Sequence, residues 1–196
     1  MTQLDQARKG VITEEMKRAA LSEGVEPEYI RASIEEGTVI ITKNRLHRTI
    51  EGLAVGKGLR TKVNANIGTS KDRMSVADEI EKLKVAVAAG ADAVMDLSTG
   101  GPIIEIRNEI MRHSTISVGT VPIYQAAVET VAKGKPIVQM DPETLFRIIE
   151  EQAEEGVDFV TVHCGVTLSS IERLKRQGRI MDVVSRGGAF HLEWSI

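Results

Sequence analysis

From residue 60 onward, short β-rich runs alternate with amphipathic helical stretches, and no other feature of this 196-residue chain narrows its fold as much. RTKVNANIGTS leads into helical periodicity over 75–89, and ADAVMDLSTGG into another stretch over 102–113. Next come ISVGTVPIY, a short helix near 125–133, PIVQM and a helix over 142–155, then VDFVTVHCGV, a helix over 168–177 and finally IMDVVSRGG. Strand alternating with helix predicts a parallel sheet covered by helices, an α/β fold.

An internal echo sharpens the expectation. AAGADAVMDLS at 88–98 and EEGVDFVTVHC at 154–164 share a helix-ending glycine, an aspartate two residues later and a run of buried-strand type. Their offset is about two 33-residue βα units, as a repeated βα architecture produces. Polar residues close the strand-like runs: Asn66, Ser98, Tyr124, His163 and Ser185. In a (β/α) barrel those C-terminal ends form the active-site face, and a doubly wound sheet also binds ligands there. Five runs, beginning near 61, 93, 116, 159 and 181, fall three short of the eight that a barrel of roughly 250 residues contains. The expectation is an incomplete (β/α) barrel over 60–196. Either the sheet is open, or two copies complete each other, or the chain is part of a longer protein.

Residues 1–59 read differently. TQLDQARKG, TEEMKRAALSEG and PEYIRASIEEG are polar helical segments that each close on glycine, and GTVIITKN at 37–44 suggests a short strand. This section is expected to be a helical appendage on the alternating region.

Composition excludes several classes of function. Hydrophobic residues make up 42% and charged residues 27%, as in a globular domain of ordinary solubility. A net charge of −3, with both signs interspersed, leaves no basic footprint for nucleic acid. No run approaches the roughly 20 apolar residues of a membrane span, and the N-terminus has no signal-peptide core. The single cysteine, Cys164, permits no internal disulfide and cannot by itself hold an iron–sulfur cluster, so a reducing cytoplasm is the expected compartment.

The candidate chemistry sits at the run ends. In SRGG the two glycines let backbone N–H groups converge on an anion, while Ser185 and Arg186 add donors and charge; the alternative is a plain turn with a surface arginine. NANIGTS sets Asn64 and Asn66 on one side of a strand. Asparagine in an apolar run is costly unless paired, so at least one is assigned to a ligand, against the alternative of a turn-forming neighbourhood. His163 and Cys164, adjacent in a strand, would point to opposite faces and could not chelate one metal. His163 then faces a ligand or is a satisfied core histidine, and Cys164 is expected to be a small buried hydrophobe. Tyr124 can offer a hydroxyl, and Met95 can pack on a flat ring or fill the core.

Taken in order, VNANIGTS, GADAVMDLSTGG, ISVGTVPIYQA, GVDFVTVHCGV and VVSRGG resemble the successive motifs of the phosphomethylpyrimidine synthases of thiamine biosynthesis, over about residues 1–193. The resemblance implies a β/α-barrel lyase, a homodimer, that rearranges 5-aminoimidazole ribonucleotide with S-adenosylmethionine and a [4Fe-4S] cluster, and that also carries zinc. It implies substrate contacts from Asn66, Met95, Tyr124, His163, Ser185, Arg186 and Gly187. The family's later DGLRPG-type loop, zinc-ligating histidines and three-cysteine cluster motif have no counterpart here, so no metal ligands are assigned in this chain. The chain reads as the N-terminal portion of such an enzyme. The alternatives are a non-catalytic nucleotide-binding or assembly module, and a half-barrel that works by pairing.

Overall fold

The computed structural model describes residues 2–195. The N-terminal layer begins with α1 (Gln3–Arg8), which Thr2 and Asp5 close reciprocally at its start, and α2 (Glu14–Glu23), whose first turn is capped by the Thr13 hydroxyl. α3 (Pro27–Glu35) opens on a proline, which needs no N–H partner there. These helices pack on an antiparallel hairpin of β1 (Val39–Thr42) and β2 (Leu53–Gly56), paired from Val39 with Gly56 to Thr42 with Leu53. Ala7, Met16, Ala20, Ile30, Ile34, Val39 and Ala54 form its own apolar core. The strand expected at 37–44 is β1. Its partner, LAVG, is too short and too flanked by glycine to show a pattern in the sequence.

The second part alternates as expected: β3 (Asn64–Ile67), α4 (Val76–Ala88), β4 (Ala93–Asp96), α5 (Ile103–His113), β5 (Ser117–Thr120), α6 (Pro122–Ala132), α7 (Pro142–Glu155), β6 (Phe159–Val160), α8 (Leu168–Gln177) and α9 (Arg186–Ser195). Among the described residues the strands form one parallel sheet in the order β3-β4-β5-β6. Val94 and Val118, on one face, bury against Leu83 of α4 and Ile106 and Ile110 of α5. On the other side, Met95 packs with Val121, Ile123, Tyr124, Met140 and Ile148. No described helix is long and apolar enough to cross a membrane.

The two aspartates of the internal echo do the same work. Asp92 Oδ2 accepts the Val63 N–H at 2.7 Å while its own N–H donates to Val63 O at 2.8 Å. Asp158 Oδ2 accepts the Val118 N–H at 2.8 Å while its N–H donates to Val118 O at 3.0 Å. Each aspartate thus takes up an N–H at the start of the neighbouring strand, which would otherwise be an unpaired backbone donor.

Three expectations are corrected. The run near 181–185 forms no strand: Asp182 turns to φ 47°, and Ile180, Met181 and Val184 stand 103%, 71% and 68% exposed. A strand requires a neighbour to take its N–H and C=O groups, and β6 is only two residues long. SRGG therefore leads directly into α9. PIVQM forms a single 3-10 turn over Ile137–Gln139, because Pro136 withholds an N–H from any ladder. α6 begins at residue 122 rather than near 125, since Pro122 is suited to a first helical position.

The front layer is held at the N-terminal ends of β5 and β6. Thr42 and Ser117 exchange hydroxyl contacts at 3.1 Å, and the Asn44 N–H donates to Asp158 Oδ1 at 2.8 Å. His47 bridges Asp158 Oδ2 at 2.6 Å and Met111 O at 3.1 Å. Every one of these contacts lies at the opposite end of the sheet from the polar strand ends.

Candidate functional site

α9 turns back over the C-terminal end of the sheet, and its first turn carries the SRGG residues. The Ser185 hydroxyl accepts the Gly188 N–H at 3.3 Å and lies 3.1 Å from His163 Nε2. A Cβ on Gly187 would sit 2.1 Å from His163 Cε1, so only glycine lets the helix come this close to the imidazole. Arg186 places its guanidinium 5.4 Å above the Tyr124 ring, and Phe190 meets that ring edge-on at 5.8 Å. Tyr124 itself is positioned by Pro122, which starts α6 directly after β5.

His163 Nδ1 is buried and has no hydrogen-bond partner. Its ring lies 5.6 Å from His191, which stands 5.8 Å from Trp194, and Trp194 Nε1 donates to Met140 O at 2.7 Å. Burial, with a smaller contribution from His163, pushes the His191 pKa below the ordinary value of 6.5.

The structure therefore brings Tyr124, His163, Ser185, Arg186 and Gly187 into one connected group. Met95 adjoins it through the apolar cluster around Tyr124, and Thr161 Oγ1 donates to the Met95 sulfur at 3.7 Å. Asn66 is level with Met95 in the strand register, but its exposed side chain accepts from Asn64 Nδ2 at 3.1 Å. Among the described residues no hydrogen bond joins Asn66 to the others. Cys164 is exposed rather than buried, because β6 ends at Val160 and residues 163–166 form a turn closed by Val166 N–H to His163 O. The opposite-faces argument for His163 and Cys164 fails for the same reason.

Sequence reasoning missed the layer beneath Tyr124. Arg107, 1% exposed, donates from Nε to Glu155 at 2.7 Å and from Nη1 to Gln125 Oε1 at 3.0 Å. Gln152 links that Gln125 oxygen, at 2.9 Å, to the Thr120 hydroxyl, at 2.6 Å. Arg107 Nη2 is left without a partner, beside a void of about 10 Å³ bordered by Asp96 and Tyr124. That volume is about one water molecule. Burial raises the Asp96 pKa, opposed by hydrogen bonds from Ser98 and by the charge of Arg107. Asp96 inside the apolar run AVMDL was the one legible signal of this layer. Arg107 and Gln152 sit in ordinary amphipathic helices and gave none.

A histidine, an arginine, a serine and an aromatic ring gather past the strand ends of a parallel α/β sheet, the edge at which folds of this class bind their ligands. The chain belongs to the radical SAM ThiC family, which it matches over residues 2–196. It is similar to a phosphomethylpyrimidine synthase of Geobacter metallireducens, at 59% identity over 98% of this chain and 44% of that protein. Phosphomethylpyrimidine synthase 2 of Syntrophotalea carbinolica is 56% identical over 99% and 45%, and a phosphomethylpyrimidine synthase of Thermodesulfovibrio yellowstonii 54% over 99% and 45%. The chain spans under half the length of these relatives. A radical SAM family implies S-adenosylmethionine and an iron–sulfur cluster, and the residues here do not fit a cluster. The sequence has one cysteine, and the described residues contain no group of three or more metal-capable side chains.

Proposed function

We propose that this chain is the substrate-binding portion of a phosphomethylpyrimidine synthase, the lyase that converts 5-aminoimidazole ribonucleotide to 4-amino-5-hydroxymethyl-2-methylpyrimidine phosphate in the cytoplasm. In this reading the sheet is the first part of a (β/α) barrel, with residues 1–59 as its appendage. S-adenosylmethionine, the [4Fe-4S] cluster and zinc act in the whole enzyme, and this chain supplies ligands to neither metal centre. What its own residues do is bind and orient. Ser185, Arg186 and the Gly187 N–H receive the phosphate, Tyr124 and Met95 flank the flat imidazole, and His163 and Asn66 bond to the polar atoms of ring and ribose.

The observation that carries this reading is the convergence of Ser185, Arg186 and Gly187 on His163 and Tyr124 from elements far apart in sequence. Phosphate at the first turn of α9 also gains from the helix dipole and from free N–H groups. Titration calorimetry with 5-aminoimidazole ribonucleotide tests it. Arg186→Ala is expected to weaken binding by about 1–3 kcal/mol, as for a charge-assisted hydrogen bond. Equal affinity of variant and parent would remove Arg186 from the site. A second reading is a non-catalytic nucleotide-binding or assembly module derived from that enzyme. It predicts ribonucleotide binding with no S-adenosylmethionine cleavage and no iron-dependent absorbance after anaerobic reconstitution of this chain.

A further inference from the structure

Beside the mouth, on the far side of Phe190, a cavity of about 600 Å³ opens between α6 and α9. Its size falls within the roughly 300–1,000 Å³ typical of small-ligand sites. Ala127, Val131, Ile137 and Phe190 make its apolar wall, and Lys71, Thr99 and Arg186 stand on its rim. Among the described residues no carboxylate lines it. Among the described residues the Lys71 ammonium has no hydrogen-bond or ion-pair partner, and Arg186 faces only the Tyr124 ring.

The rim is held in place before any ligand arrives. Lys71 and Thr99 lie on two loops that are locked together: Thr69 Oγ1 donates to Gly100 O at 2.6 Å, and the Thr99 N–H donates to Thr69 O at 3.0 Å. The loops touch so closely that a Cβ on Gly100 would lie 2.3 Å from Ser70 O. Two cations without a carboxylate partner among the described residues, at the edge of an apolar trough, attract a negative charge attached to an apolar body, because neither a bare anion nor a neutral hydrocarbon satisfies both halves.

We infer that this trough is a second binding site, for a small amphipathic anion: an aromatic or short aliphatic body carrying one phosphate, sulfate or carboxylate. The body lies on Val131, Ile137 and Phe190, and the anion is held between Lys71 and Arg186. The site shares Arg186 with the proposed substrate mouth, so the experiment must separate the two.

2-Naphthyl phosphate is the probe, followed through the methyl NMR signals of Val131 and Ile137 in the whole chain. Saturable shifts of those methyls are expected. Lys71→Ala should weaken binding at least tenfold and Val131→Asn should abolish it, with both variants melting cooperatively near the parent temperature. Because Val131 and Lys71 are surface residues outside the mouth, ribonucleotide binding should persist in both, so failure of the trough leaves the Arg186→Ala test of the mouth intact. Equal methyl shifts with inorganic phosphate would overturn the apolar half of the inference, and equal affinity for 2-naphthol would overturn the anionic half. Backbone amide shifts at His163 and Ser185 with the Val131 and Ile137 methyls unmoved would place the probe in the mouth and refute the trough.

Discussion

Gly187 concentrates the demands of the site on one missing side chain. Alanine there would put a methyl group within van der Waals overlap of the His163 ring, so either the start of α9 or the imidazole must move. Overpacking of this kind costs about 1–3 kcal/mol. Gly187→Ala is therefore expected to lower the melting temperature by several degrees and to weaken ribonucleotide binding at least tenfold, through loss of the 3.1 Å contact between His163 and Ser185. Unchanged affinity, measured by calorimetry, would show that this contact does not shape the mouth. Both motifs were legible in the sequence, HCG and SRGG, but not that they touch. Their meeting depends on where β6 stops and where α9 begins, and the short exposed run between them carries no periodic signal. Cys164 departs from expectation for a related reason: a free cysteine is most often buried, but the strand that would carry it inward ends four residues before it.

At the scale of elements, α9 has a pH-dependent seat. His191 is held below its ordinary pKa of 6.5 by burial and by His163, so the fold favours its neutral form. The stability this contributes is present above pH 6.5 and is lost as pH falls through the depressed value, when the folded protein must accept a proton that the unfolded chain binds more readily. The lone tryptophan, Trp194, sits beside His191 on the same helix and reports on its docking. Acidification from pH 7 to pH 5 is expected to shift Trp194 emission to longer wavelength, and His191→Gln should flatten that transition. An identical transition in the variant would assign it to another group. The alternation of strands and helices was readable because each helix shows one apolar face and each buried strand a short β-branched run. α9 was not readable as a helix, since a glycine pair is a poor way to start one and VVSRGG looks like a strand leaving for a loop.

Among the described residues the sheet is open at both edges. β3 and β6 there each leave a row of backbone groups without a strand partner, and apolar side chains near β6, including Val162 and Leu168, are 50% and 65% exposed. Such edges and patches are covered in stable proteins. Self-association, in the simplest case as a twofold dimer, is the expected outcome. Light scattering at micromolar concentration should give a mass that is a multiple of 21.4 kDa. A monodisperse, cooperatively melting 21.4 kDa species would show that the sheet closes on itself.

Asp158 has a kinetic consequence. One buried carboxylate receives the Asn44 N–H from the front layer, the Val118 N–H from β5 and the His47 ring that is anchored on α5. Three stretches of chain therefore have no way to detach one at a time without leaving that charge partly unpaired in the interior. The amides of Asn44 and Val118 should accordingly exchange with solvent in a single opening event, with the same free energy, although they belong to different layers.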